Sequence, residues 1–225
     1  MSGRIVSVCI KAAILLVLIP FVLVPVYAFV PPVSNVMLWR FLTGSPVVRE
    51  WRPIEEISPN LVRAVIAAED ARYCQHRGVD WVEMERAIED ADDLGEARGA
   101  STIPMQTAKN LFLWPGRHFV RKAVEIPIAY YMSLMWTKRR LIEVYLNVAE
   151  WGPNGEFGAE AAARRAFRKS ARALLPEEAA LLAAVLPNPA QRDAARPSPG
   201  LQRLGARYRV QADIAGSPIT ACLAQ

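Results

Sequence analysis

The chain has 225 residues, enough for one domain with a sizeable core and too few for two large domains beside an anchor. Apolar residues make up 52% of it and concentrate near the N-terminus, while a formal charge of +5 and a sequence pI near 9.3 favour an anionic partner: nucleic acid, an acidic lipid surface or a phosphorylated substrate. The cysteines Cys9, Cys74 and Cys222 lack metal-ligand spacing and have only His76 and His118 to join them, which argues against a structural zinc site.

Residues 12–30 are apolar apart from the phenol of Tyr27, long enough to cross a hydrocarbon core of about 30 Å as a helix. Arg4 and Lys11 precede this run, so residues 1–11 are expected in the cytoplasm and the body beyond the membrane; Arg40, Arg49 and Arg52 after the span oppose that orientation. The alternative is a cleaved signal peptide, with Val26-Tyr27-Ala28 as a loose cleavage site. If the body lies outside the cytoplasm, Cys74 and Cys222 are able to pair, although unpaired thiols are the expectation. A connector over 31–56 leads into helical signals. Ser58-Pro59 reads as an N-cap with proline at the first helical position, followed by Leu61, Val62, Val65 and Ile66 at helical spacing. Asp80 with Glu83 has the spacing of a capping box and opens a second helix, whose acidic far end (89–96) reads as solvated. Further helices are expected over 120–136, 137–151, 158–167 and 176–186, with no run of alternating strand character. From Pro197 onward the periodicity weakens.

Taken singly, the polar residues are ambiguous. Glu69 and Asp70 close an apolar helix, where the dipole disfavours carboxylates; they are either a half-buried base with a raised pKa or two solvated side chains. Residues 98–103, Arg-Gly-Ala-Ser-Thr-Ile, form a tight loop running into a helix, with Ser101 or Thr102 as cap and free N–H groups available to an anion. Gln106, Lys109 and Asn110 share a helical face beyond it. Arg117, Arg121, Lys122 and Glu125 follow at spacings of four and three, as either a diphosphate pocket or an intrahelical salt bridge. Asp90 and Asp92 imitate a metal-binding D-x-D but fall in the acidic stretch and read as a solvated loop. Leu111 to Trp114 is an apolar run suited to either the membrane interface or the core.

In order, these segments resemble the motifs of the peptidoglycan glycosyltransferases. Residues 69–78 resemble E-D-x-x-F-x-x-H-x-G, with Tyr73 in place of phenylalanine; residues 99–110 resemble G-A-S-T-I-x-x-Q-x-x-K-N; Arg121-Lys122-Ala123-Val124-Glu125 resembles R-K-x-x-E. Residues 138–147, ending Tyr145-Leu146-Asn147, and 157–169 resemble the fourth and fifth motifs, and 176–189 the closing segment. Ala166 and Arg168 depart from the tyrosine and glycine common there.

The resemblance implies a mainly α, lysozyme-like glycosyltransferase domain over 57–215 with one N-terminal transmembrane helix and a tail over 216–225. It implies that the 4-hydroxyl of a lipid-linked disaccharide (lipid II) attacks the anomeric carbon of a polyprenyl-linked glycan, inverting it and expelling undecaprenyl diphosphate. Glu69 is then the general base, and Lys109, Arg117, Arg121 and Lys122 receive the diphosphate. Glu125 orients cations and substrate, while Ser101, Thr102, Gln106 and Asn110 line the donor site. No cofactor is required, a divalent cation (Mg or Mn) being an optional assistant, and nucleic acid drops out as partner. The implied setting is the inner membrane, with a periplasmic catalytic domain, and transpeptidases and other cell-wall proteins as partners. No S-x-x-K transpeptidase motif occurs, so cross-linking is expected of other proteins. Two rivals stand beside this reading: a lysozyme-like hydrolase, which has no use for the cationic cluster, and a silent membrane scaffold, which has none for Glu69 and Glu125.

Overall fold

A computed structural model describes residues 2–89, 101–114 and 119–224, with the side chains of 2–5, 9–10, 12–17 and 119 outside that description. Its ten α-helices are α1 (Ser2–Tyr27), α2 (Asn35–Leu42), α3 (Pro59–Glu69), α4 (Trp81–Glu89), α5 (Ile103–Phe112), α6 (Phe119–Met135), α7 (Lys138–Val148), α8 (Ala159–Phe167), α9 (Pro176–Val185) and α10 (Pro199–Ala215). The only extended structure among the described residues is a two-residue parallel pair, β1 (Val48–Arg49) with β2 (Glu156–Phe157), beside two isolated bridges. The mainly helical expectation therefore holds. The predicted anchor over 12–30 coincides with the later part of α1 and the turn after it, but among the described residues no helix is long and apolar enough to cross a membrane.

Local chemistry starts most of these helices where the sequence places them. Ser58 caps α3 by accepting from the Asn60 amide, and Thr137 caps α7 by accepting from that of Arg140. Asp80 accepts from the Glu83 amide at 3.1 Å, but Glu83 turns to Arg86 instead, so half of the expected capping box forms. The core lies where α3, α5, α7 and α9 meet. Leu61, Val65, Ile66, Ile103, Met105, Leu141, Ile142, Leu146 and Leu182 are fully enclosed there. In α9 the alanines at 179, 180, 183 and 184 leave no bulk between helices, and α3, α8 and α10 pack closely around it.

Two features depart from expectation. The weakly periodic C-terminal stretch forms the 17-residue α10, which buries only Leu201 and Gly205 fully; so little enclosed surface leaves a faint apolar stripe. Cys74 and Cys222, expected as free thiols, form a disulfide, because α10 and the 3-10 segment Ser217–Ala224 carry the chain end back to the turn after α3. A contact across 148 residues leaves no local trace in sequence.

Candidate active site

Glu69 is the last residue of α3, and its position depends on its neighbour. Asp70 is buried; one carboxylate oxygen accepts from the Ile103 amide at the start of α5 (2.9 Å) and the other lies 2.8 Å from His76 Nε2. Asp70 thus ties the first motif to the helix carrying the second. Gly78 makes a parallel tie: it has φ +88°, a Cβ there would sit 2.8 Å from the Ala129 carbonyl oxygen, and its own carbonyl accepts from the Thr102 hydroxyl. Tyr73, the departure from phenylalanine, is fully buried and donates its hydroxyl to the Lys138 carbonyl at 2.7 Å, so the extra oxygen is satisfied.

Held this way, Glu69 Oε2 accepts from Gln106 Nε2 at 2.8 Å, and Gln106 Oε1 accepts from the Tyr145 hydroxyl at 3.0 Å. Burial raises the Glu69 pKa, opposed by the Gln106 hydrogen bond and then by the charge of Lys109. Burial likewise lowers Lys109, against the pull of Glu125. Glu125, 3% exposed, is raised by burial and held down by Arg121, Lys109 and Lys122; its ion pair to Arg121 Nε measures 2.8 Å.

Gln106, Lys109, Asn110, Arg121 and Tyr145 line a cleft of about 400 Å³, with Trp114, Glu150 and Phe157 on its other walls. Glu69, Arg72, Ser101 and Thr102 line a second cavity of about 240 Å³. The Glu69–Gln106 hydrogen bond joins a wall residue of one to a wall residue of the other. A half-buried carboxylate thus stands between two openings, with Lys109 and Arg121 on one side and, on the other, an Arg72 already paired to Asp80 at 2.9 Å.

Among the sequence-derived candidates, Glu69, Gln106, Lys109, Asn110, Arg121 and Glu125 come together, with Lys122 close enough to act on Glu125. Ser101 faces the second cavity, whereas Thr102 is occupied as the N-cap of α5, accepting from the Met105 amide and donating to Gly78. Arg117, Asp90 and Asp92 lie outside the described residues. The apolar run resolves mainly into core: Leu111 and Leu113 are buried, Phe112 stacks on Tyr27, and Trp114 alone is exposed.

Three residues of the site escaped individual notice. Tyr145 orients Gln106 from within the fourth motif. Glu150 enters the cleft wall paired to Arg40 at 2.8 Å. Arg192 donates to the Ala184 carbonyl and acts on the Glu69 charge. Tyr145 lies in the fourth motif without a role of its own being legible there, and Glu150 and Arg192 sit in no pattern that separates them from ordinary polar residues.

Residues 36–212 match the family described as Transglycosylase. The chain is 51% identical over 210 residues to a biosynthetic peptidoglycan transglycosylase of Rhodopseudomonas palustris (strain HaA2), covering 93% of this chain and 92% of the relative. It is 50% identical to the protein of that name from Agrobacterium fabrum, covering 89% of each. With the one from Brucella suis biovar 1 the identity is 44% over 225 residues, covering 99% of this chain and all of the relative.

Proposed function

The chain belongs to the transglycosylase family and is a peptidoglycan glycosyltransferase, and from that premise we propose how its residues divide the work of polymerising glycan strands. The acceptor is the 4-hydroxyl of lipid II, and the donor is the polyprenyl-linked growing glycan. As O4 bonds to the donor's anomeric carbon from the side opposite the leaving group, its proton passes to Glu69. The bond from that carbon to the diphosphate oxygen breaks, and its electron pair leaves with undecaprenyl diphosphate, so configuration inverts.

One observation carries this reading: a half-buried carboxylate, raised in pKa by desolvation, stands between two cavities, one holding Lys109 and Arg121 and the other an arginine, Arg72, that Asp80 already neutralises. Such a group suits general-base work near neutral pH. Lys109 and Arg121 meet charge that grows on the leaving diphosphate, in a cleft where low dielectric strengthens the interaction. They supply what a divalent ion supplies elsewhere, which leaves Mg or Mn as an optional assistant. Arg117 and Lys122 extend the same cationic role. Glu125 keeps Arg121 in place through their ion pair. Asn110 and Gln106 orient donor oxygens, while Ser101, expected at the donor site with them, lines the other cavity and in this reading serves the acceptor.

The same reading places the enzyme in the cytoplasmic membrane, single-pass, with the catalytic domain on the periplasmic side and transpeptidases as partners. The apolar run 12–30 supports the anchor, and a disulfide fits an oxidising compartment. The end of α1 is fastened to the domain: Trp136 Nε1 donates to the Val24 carbonyl at 2.7 Å, and Arg140 donates to the carbonyls of Tyr27 and Val30.

The test is incubation of the purified chain with lipid II. Wild type is expected to form long, lysozyme-digestible strands, and Glu69→Gln to lose at least about a hundredfold in rate, the scale of a general base. Polymer from Glu69→Gln at the wild-type rate refutes the assignment. Digestion of finished peptidoglycan by the same preparation restores the hydrolase reading.

A further inference from the structure

The arginines between the anchor and α3 are nearly all neutralised. Arg40 pairs with Glu150, and Arg52 with Glu50, Glu56 and Glu160. Arg140, packed beside them, pairs with Glu143 and donates to the two carbonyls at the end of α1. Arg49 is the exception: among the described residues it forms no ion pair, and its Nε and Nη2 are buried without an acceptor. Burial depresses its pKa, the mark of a cation that has lost water and gained no counter-charge.

Its surroundings say what could supply one. The Arg49 guanidinium lies 5.1 Å from the ring centroid of Trp51, and that of Arg140 lies 5.1 Å from the same ring. Arg140 Nη2 in turn reaches the Val30 carbonyl at 2.9 Å, where the apolar run ends. Arg49 is therefore two side chains away from that end. Phe29, Val30, Val33, Val47 and Val48 expose their side chains along this stretch, Phe29 by 88%. Beyond the hydrocarbon core a bilayer continues for roughly 5–8 Å of headgroup on each side, the depth at which tryptophan also gathers.

We infer that Arg49, stacked on Trp51, binds the phosphate of a membrane phospholipid where the chain leaves the bilayer. This rests on the anchor reading above. Nε and Nη2 are the enclosed nitrogens, so Nη1 is the point of approach for a phosphate oxygen, a charge-assisted contact that supplies the missing counter-charge. Arg49 is also the register partner of Phe157, which lines the cleft, so a bound headgroup steadies one wall of the active site.

Thermal unfolding of the full chain in a phosphate-free, uncharged detergent provides the test. At about a hundredfold excess over Kd, phosphatidylglycerol is expected to raise Tm by roughly 5–10 °C, and diacylglycerol, which lacks the phosphate, to leave it unchanged. Arg49→Gln should abolish the shift and Arg49→Lys keep part of it, while both polymerise lipid II in detergent at the wild-type rate, which shows them folded. An equal shift in Arg49→Gln, or one produced by diacylglycerol, overturns the inference. A shift from inorganic phosphate alone, or from undecaprenyl diphosphate but not phosphatidylglycerol, assigns the site to another ligand and also overturns it. Carbonate extraction of the wild type from proteoliposomes would refute the anchor separately, without touching the Arg49 comparison.

Discussion

The carboxyl of Glu69 and the ammonium of Lys109 both shed water within the cleft, and burial drives their pKa values in opposite directions, up from 4.5 and down from 10.5. The sign of the pH dependence follows from the form each must take. Glu69 acts ionised, so the rate rises as pH climbs through its elevated pKa; Lys109 acts charged, so the rate falls as pH climbs through its depressed one. The pH–rate profile is expected to be a bell with both limbs drawn inward from the ordinary values. Lys109 faces Glu125, Arg121 and Glu69, and Glu69 faces Asp70, Lys109 and Arg192, so each limb reports a coupled group. Lys109→Arg, whose charge does not titrate in this range, should shift the alkaline limb upward and leave the acid limb in place. An alkaline limb that stays put would mean that another group governs it.

At the scale of elements, the ends of helices separate what is legible in the sequence from what is not. Ser58, Asp80 and Thr137 act through backbone amides two or three residues away, and such contacts are written into adjacent positions. The tie from Asp70 to the Ile103 amide spans 33 residues and is invisible to any local rule. The end of α8 shows a third case. Arg168, where the family commonly has glycine, takes φ +56°, left-handed, as the C-cap. That conformation costs a residue with a Cβ about 1–2 kcal/mol, of which glycine would return roughly half through its freer unfolded chain. Arg168→Gly is therefore expected to stabilise the protein by about 0.5–1 kcal/mol, read as a Tm increase of roughly 1–4 °C. Its side chain is exposed, so a loss of stability would mean that the arginine makes a contact worth more than the strain.

For the molecule as a whole, the ordered motifs located the cleft, while the residues that complete it from a distance, Glu150 through Arg40 and Arg192 from beyond α9, required the fold. The same holds for the Cys74–Cys222 disulfide, the longest of these links. Cys74 lies in the 3-10 turn between Asp70 and His76, so the bond clamps the turn whose two ends position Glu69 against the C-terminal segment. In the chain-entropy account, closing a loop across a separation of 148 residues stabilises the folded state by about 5 kcal/mol. Reduction, or the Cys74→Ala and Cys222→Ala pair, is expected to lower Tm by roughly 10–20 °C. Activity should fall less, since Asp70 still holds His76 and the Ile103 amide without the bond. Thermal unfolding with and without reductant, with thiols titrated to confirm opening of the bond, decides this. Full reduction with an unchanged Tm would mean that the packing of α10 on α3 and α9 secures the chain end unaided.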